Sequence, residues 1–94
     1  MSLLVFATIT AKPGLGAELK TAFLDLIPQV RAELACQLYE LYESTEKPDQ
    51  FIMHERWDDE AGLAAHAAMP HMDAFKQQFG NLMAGPAQLT TVQE

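Results

Sequence analysis

Apolar residues fall along this chain in blocks whose period changes, and each change marks an element. Leu3 to Ala11 (Leu-Leu-Val-Phe-Ala-Thr-Ile-Thr-Ala) is short, apolar and partly β-branched, and it stops at Lys12-Pro13-Gly14. That pattern predicts a strand ended by a turn. Leu15, Leu19, Phe23, Leu26 and Val30 then recur at steps of four, four, three and four, which marks one face of a helix. Pro28 falls inside that pattern and predicts a kink or a break in the preceding turn. Cys36 to Ser44 and Phe51 to Trp57 are aromatic-rich and alternating. The polar Thr45-Glu46-Lys47-Pro48-Asp49-Gln50 between them predicts a hairpin loop.

Asp58 or Asp59 is placed to cap the next helix, where acids suit the positive end of the helix dipole. That helix stops near Met69, because Pro70 disfavours helical geometry in the residue before it. Pro70 is tolerated in a first turn and opens a second helical piece, with Met72, Phe75, Phe79 and Leu82 as its buried stripe. Gly85-Pro86 ends it, and Gln88 to Gln93 is a last short strand with Leu89 and Val92 as its apolar members. The order β-α-β-β-α-β predicts an α+β, ferredoxin-like fold with a four-stranded antiparallel sheet. The 94 residues make a single domain, 1–94.

Both faces of the expected sheet carry apolar residues. Val5, Ala7 and Ile9 oppose Leu4 and Phe6; Tyr39 and Leu41 oppose Cys36, Leu38 and Tyr42; Phe51, Met53 and Trp57 oppose Ile52, His54 and Arg56. A sheet with helices on one face alone should be polar on the other. The second face therefore asks for a cover, and the sheet of a second copy is the natural one. A homodimer through the sheet faces is the expectation. An apolar content of 49% in so short a chain points the same way, since a body this small has little interior of its own.

Net charge is −7, and the six basic residues are spread along the chain without forming a stripe. Nucleic acid is a poor partner for such a surface. No apolar run approaches the roughly 20 residues of a membrane span, so no membrane partner is expected. The N-terminus also lacks the basic segment and small-residue cleavage site of a secretory signal. The single Cys36 has no internal partner, which predicts a reduced, cytoplasmic setting.

Candidate chemistry concentrates between Met53 and His71. Strand alternation puts Glu55 and Trp57 on the same face, and if helices cover that face, His66 on the following helix can approach Glu55. A carboxylate accepting from one imidazole nitrogen fixes the tautomer and raises the basicity of the other, which is what a general base needs. The same pair has a structural reading, in which a partly buried Glu55 needs a donor and His66 supplies it. His71 reads either as a hydrogen-bond partner for a substrate oxygen at a pocket mouth or as a solvated first-turn residue. His54 alternates with Ile52 and Arg56 and is expected on the dimer side. Trp57, Phe51, Met53, Tyr39, Phe75 and Phe79 can wall an apolar pocket for a flat aromatic ligand, or simply fill the core. A buried Trp57 indole N–H asks for an acceptor in either case.

No metal site is expected: His66 and His71 are not at i, i+4 spacing, Pro70 separates them, and no His-Glu-x-x-His or cysteine ligand set exists. Gly14-Leu15-Gly16 is no phosphate cradle, and no nucleotide or flavin fingerprint is present. No cofactor is expected.

Taken in order, these residues resemble the antibiotic biosynthesis monooxygenase family of dimeric α+β barrels. The resemblance is carried by Lys12-Pro13-Gly14 after the first strand, Cys36 with Tyr39-Glu40-Leu41 in the second, and Phe51 with Glu55-x-Trp57 in the third. Ala65-His66 followed by Pro70-His71, and Leu82-Met83-Ala84-Gly85-Pro86 before the last strand, extend it over nearly the whole chain. The resemblance implies a pocket between sheet and helices and a cofactor-independent oxidation of a small phenol or hydroquinone to a quinone with molecular oxygen. Trp57 would wall that pocket with Phe51, Met53 and Tyr39, Glu55 and His66 would be the catalytic pair at its polar end, and His71 would sit near the mouth. Three departures stand out. The polyketide-oxidising branch has a polar amide where this chain has Met53. The haem-degrading branch needs a helical Trp and an axial His, and the second helical region here has no Trp and no His after His71. Many members have Pro-Gly where this chain has Leu34-Ala35. A related branch with the same His and Pro-His pattern processes small carbonyl signals without oxidation. An isomerase or degradative enzyme for a small carbonyl compound, and a non-catalytic small-molecule-binding dimer, are the alternatives.

Overall fold

The computed structural model describes residues 2–94. Its elements are β1 (Leu3–Thr10), α1 (Gly16–Arg31), β2 (Cys36–Glu43), β3 (Gln50–Trp57), α2 (Glu60–Ala67), α3 (Pro70–Phe79) and β4 (Gln88–Gln93), with a 3-10 turn at Gly80–Leu82 before the last strand. The strands form one antiparallel sheet in the order β2-β3-β1-β4. This is the expected ferredoxin-like α+β arrangement, with the second helical region divided at Pro70. The sheet is open, and β2 and β4 are its edges. No helix among the described residues is long and apolar enough to cross a membrane.

The stripe on α1 is buried as its spacing requires: Leu19, Phe23, Leu26 and Val30 pack on the sheet, joined by Ala22 and Ile27. Pro28 does not break the helix. It lies in the final turn, and Ala32 closes that turn by donating its N–H to the Pro28 carbonyl at 3.2 Å. The missing proline N–H therefore costs only one bond of a helix held down by burial on both sides. On α3, Phe75 is the buried anchor and stacks on Phe23 with ring centroids 5.0 Å apart. Met72, Phe79 and Leu82 are partly buried around it.

Register sorts the strands into two faces. Leu3, Val5, Ala7 and Ile9 of β1 lie under the helices beside Trp57, Glu55, Met53 and Phe51 of β3. Leu4 and Phe6 share the outer face with Arg56 and His54. The expected partnership of Cys36 with Leu38 on one face fails, because β2 has a bulge between them. Cys36 pairs with Trp57 and Leu38 with Arg56, so the extra residue, Gln37, turns Cys36 to the helix side. Strand alternation cannot be read across a bulge.

A single acid holds the turn between β1 and α1. Leu15, at the start of α1, offers no side-chain cap. The Asp49 carboxylate, from the β2–β3 loop, accepts from Gly14 N–H at 3.0 Å and Gly16 N–H at 2.9 Å. Its own carbonyl accepts from Ala11 N–H at 2.8 Å. Asp49 thus caps a helix from across the sheet and places a negative charge at the positive end of the dipole. Gly16 is needed here, since a Cβ would lie 2.5 Å from Asp49 Oδ1. Asp49 itself sits at φ 64°, a left-handed conformation that Asp and Asn tolerate better than Ala. Asp49→Ala should lower unfolding stability by about 1–2 kcal/mol in denaturant titration, and Asp49→Asn should lose less, because its side-chain oxygen still accepts.

Candidate active site

The α1–β2 loop, residues 32–35, is wedged between α2 and the end of β3. Glu33 N–H donates to Val30 O at 3.0 Å and Cys36 N–H to Glu33 O at 3.1 Å, which folds the loop tightly. Asp58 N–H then donates to Ala35 O at 3.0 Å and ties it to the end of β3. Asp59 is the cap of α2, its carboxylate accepting from Gly62 N–H at 2.8 Å. A Cβ on Gly62 would lie 2.6 Å from the Ala35 methyl, so only glycine lets α2 settle on the loop. His66 is one turn beyond Gly62 and meets the loop on the same helix face.

There the Glu33 carboxylate holds two imidazoles. Its Oε2 lies 2.9 Å from His66 Nδ1 and 2.7 Å from His71 Nε2. The Glu33 and His66 side chains are only 4% and 7% exposed, and that of His71 is 19% exposed. With Oε2 accepting, His66 donates from Nδ1 and His71 from Nε2, and in a neutral His66 imidazole this assigns the lone pair to Nε2. Glu33 Oε1 is buried with no hydrogen-bond partner among the described residues. The His66 ring lies over Trp57, centroids 4.5 Å apart, and Tyr39 packs edge-on against both rings.

The Trp57 indole finds its acceptor two residues back, donating to Glu55 Oε1 at 2.9 Å. Burial pushes the Glu55 carboxyl up to about 7 from its ordinary 4.5, against the opposing indole bond and with a further push from the Glu33 charge. Burial first, and then the Glu55 and Glu33 charges, push the Tyr39 phenol up, so it remains a neutral O–H. Burial also raises the Cys36 thiol, which argues against a thiolate nucleophile.

Of the residues expected at the site, Trp57, His66, His71 and Tyr39 come together. Glu55 joins them through Trp57, but no hydrogen bond links it to His66 among the described residues. The acid that holds His66 is Glu33, 33 residues earlier in the chain. Its signal in the sequence was faint: a lone acid among Ala32, Leu34 and Ala35 just past a helix end. His71 is not a solvated first-turn residue, and Pro70 does not keep it from His66, since both imidazoles reach one oxygen. Phe51 and Met53 are core residues, Phe51 packing edge-on against Phe23. Open space lies instead along the β2 edge. One groove of about 350 Å³ is lined by Tyr39, Cys36 and Arg31 among others. A second, of about 390 Å³, shares Arg31 and Glu40 with it. Arg31 Nε donates to Tyr39 O at 3.0 Å and fixes the wall between them.

Residues 2–78 match the family model described as antibiotic biosynthesis monooxygenase. The chain is 30% identical over 80 residues to "Putative monooxygenase YcnE" of Bacillus subtilis, covering 85% of this chain and 84% of that protein. The crystal structure of PA3566 from Pseudomonas aeruginosa is similar in fold, with a TM-score of 0.90 at 29% identity, covering 99% of this chain and 93% of that one. The structure of Rv0793 from Mycobacterium tuberculosis gives a TM-score of 0.88 at 26% identity, covering 100% and 95%.

The raised Glu55 value has a consequence for stability. Folding favours the protonated carboxyl, so this contribution is fully present below about pH 4.5 and is lost as pH rises through about 7. Glu55→Gln keeps an acceptor for Trp57 and removes the titration. The variant should match the parent in acid and exceed it by up to about 3 kcal/mol above neutrality, measured by denaturant titration across pH. A difference that does not change with pH would mean that Glu55 titrates as an ordinary carboxyl.

Proposed function

The chain belongs to the antibiotic biosynthesis monooxygenase family, and from that premise we propose that it oxidises a small phenol or hydroquinone to a quinone with molecular oxygen, without a bound cofactor. The observation that carries this reading is the His66 imidazole held by buried Glu33 over the face of Trp57. His66 Nε2 takes the phenolic proton, and the Glu33 carboxylate stabilises the imidazolium that results. The phenolate is then rich enough in electrons to reduce oxygen itself. One oxygen atom joins a ring carbon and the other leaves as water, so phenol and O2 become quinone and water with no outside reductant. Trp57 supplies a flat apolar face, and His71, at the less buried side of Glu33, hydrogen-bonds substrate oxygen. Tyr39 stands between these rings and the groove along β2, lining the groove and packing against His66 and Trp57. Glu55, titrating near neutrality, holds the indole in place.

The two imidazoles on one carboxylate also favour a second reading. They can take a proton from one carbon of a small carbonyl compound and return it to another, an isomerisation that consumes no oxygen. A panel of hydroquinones in an oxygen electrode separates the two. Oxygen uptake that falls by about 10²-fold or more in His66→Ala, and comparably in Glu33→Gln, supports oxidation. Turnover without oxygen uptake supports isomerisation, and aromatic binding with no turnover supports a binding module.

A homodimer through the outer sheet face belongs to this reading, as does a cytoplasmic setting. Ile52, Tyr42 and Val92 are 39%, 50% and 46% exposed on that face, beside half-buried Leu4 and Phe6. An apolar patch of this kind is a protein-interaction surface. Sedimentation at micromolar concentration should give twice the mass of one chain, and a monodisperse monomer would overturn the dimer.

A further inference from the structure

We propose that Glu33, His66 and His71 form a binding site for a divalent ion of the zinc class. Their candidate ligand atoms all lie within 4.8 Å of one another. Two imidazole nitrogens and one carboxylate are a donor set that suits zinc, cobalt, nickel or ferrous iron. Calcium and magnesium, which take oxygen ligands, are a poor match. A second observation points to a ligand independently: Glu33 Oε1 is buried with no donor among the described residues, a costly state for a carboxylate oxygen. An ion at Oε2 neutralises that charge and leaves Oε1 free to accept from an ion-bound water or to ligate as well.

The two nitrogens, which share Glu33 Oε2 and lie within 4.8 Å of each other, must close on the ion while each moves slightly away from that oxygen. A zinc ion at about 2.0–2.1 Å from each ligand holds the ligand atoms about 3.3 Å apart, against 2.9 and 2.7 Å between Glu33 Oε2 and the two nitrogens. The ion takes the place of the two hydrogen-bonding protons. Each neutral imidazole moves its proton to its other ring nitrogen, so none is lost to solvent. His71 is the most exposed of the three side chains, so an ion would enter from its side. Occupation would leave His66 Nε2 protonated, a donor instead of a base. The ion is therefore a competitor of the proton transfer proposed above, and the site stands on its geometry whether or not that reaction occurs.

Chelator-stripped protein titrated with Co(II) tests the site directly. The expected result is one equivalent bound, with the visible absorption of a four- or five-coordinate ion, displaced by Zn(II). His71→Gln should abolish the bands, and His54→Gln, on the opposite sheet face, should retain them. In the parent protein the His66 and His71 imidazole proton resonances should be shifted by Co(II) and those of His54 left in place. That second measurement decides the matter even if the variant folds poorly. A six-coordinate aqua spectrum, absorption that survives His71→Gln, or His66 and His71 resonances that do not move would show that the cluster is a hydrogen-bonded unit and nothing more.

Discussion

The Glu33 carboxylate is the constraint on which the functional end of this molecule depends. One oxygen accepts from two imidazoles carried by different helices, in a layer from which water is nearly excluded. Charge-assisted bonds in such surroundings are stronger than in water, and breaking one leaves a polar group buried and unpaired. The bonds therefore do two things at once. They fix the tautomer and angle of His66, and they lock α2, α3 and the α1–β2 loop into one arrangement. The Gly62–Ala35 approach is the steric condition for this, because the loop must lie against α2 before the carboxylate can reach.

Around this cluster the structure separates two kinds of carboxylate. Glu33 is matched by two N–H donors. Glu55 has, among the described residues, the Trp57 indole alone, which does not offset its burial, and its carboxyl is pushed up to about 7. Environments that differ this much let two acids of the same kind take different roles a short distance apart. Trp57 belongs to both, its N–H bound by Glu55 and its face covered by His66. The aromatic wall is thus held from two directions.

Burial on the helix side of the sheet supports this precision. Val5, Met53, Trp57, Leu19 and Val30 are essentially inaccessible and leave little room for the strand ends to move. The other side contrasts with it. Phe6, His54 and Tyr42 form an aromatic cluster on the outer face, and β4 is exposed along its length. The helices cover one face of the sheet over β1 and β3, leaving Leu89 of β4 open on that side, and the other face presents apolar surface of its own.

Periodicity alone determined the strands, the α1 stripe, the division of the second helical region at Pro70, and the two-faced sheet, because each rests on interactions between residues near in sequence. Glu55 beneath Trp57 followed from strand alternation for the same reason, and so did a buried indole in search of an acceptor. What only the tertiary structure decided are the pairings made across the fold. Asp49 caps a helix that begins 33 residues earlier, and Glu33, not Glu55, holds His66. The Gln37 bulge turns Cys36 inward, and His66 and His71 converge although a proline lies between them. None of these is a matter of spacing. Each depends on where a loop comes to rest, and that is set by close approaches such as Gly62 on Ala35 and Gly16 on Asp49, where the absence of a side chain, and not its presence, carries the information.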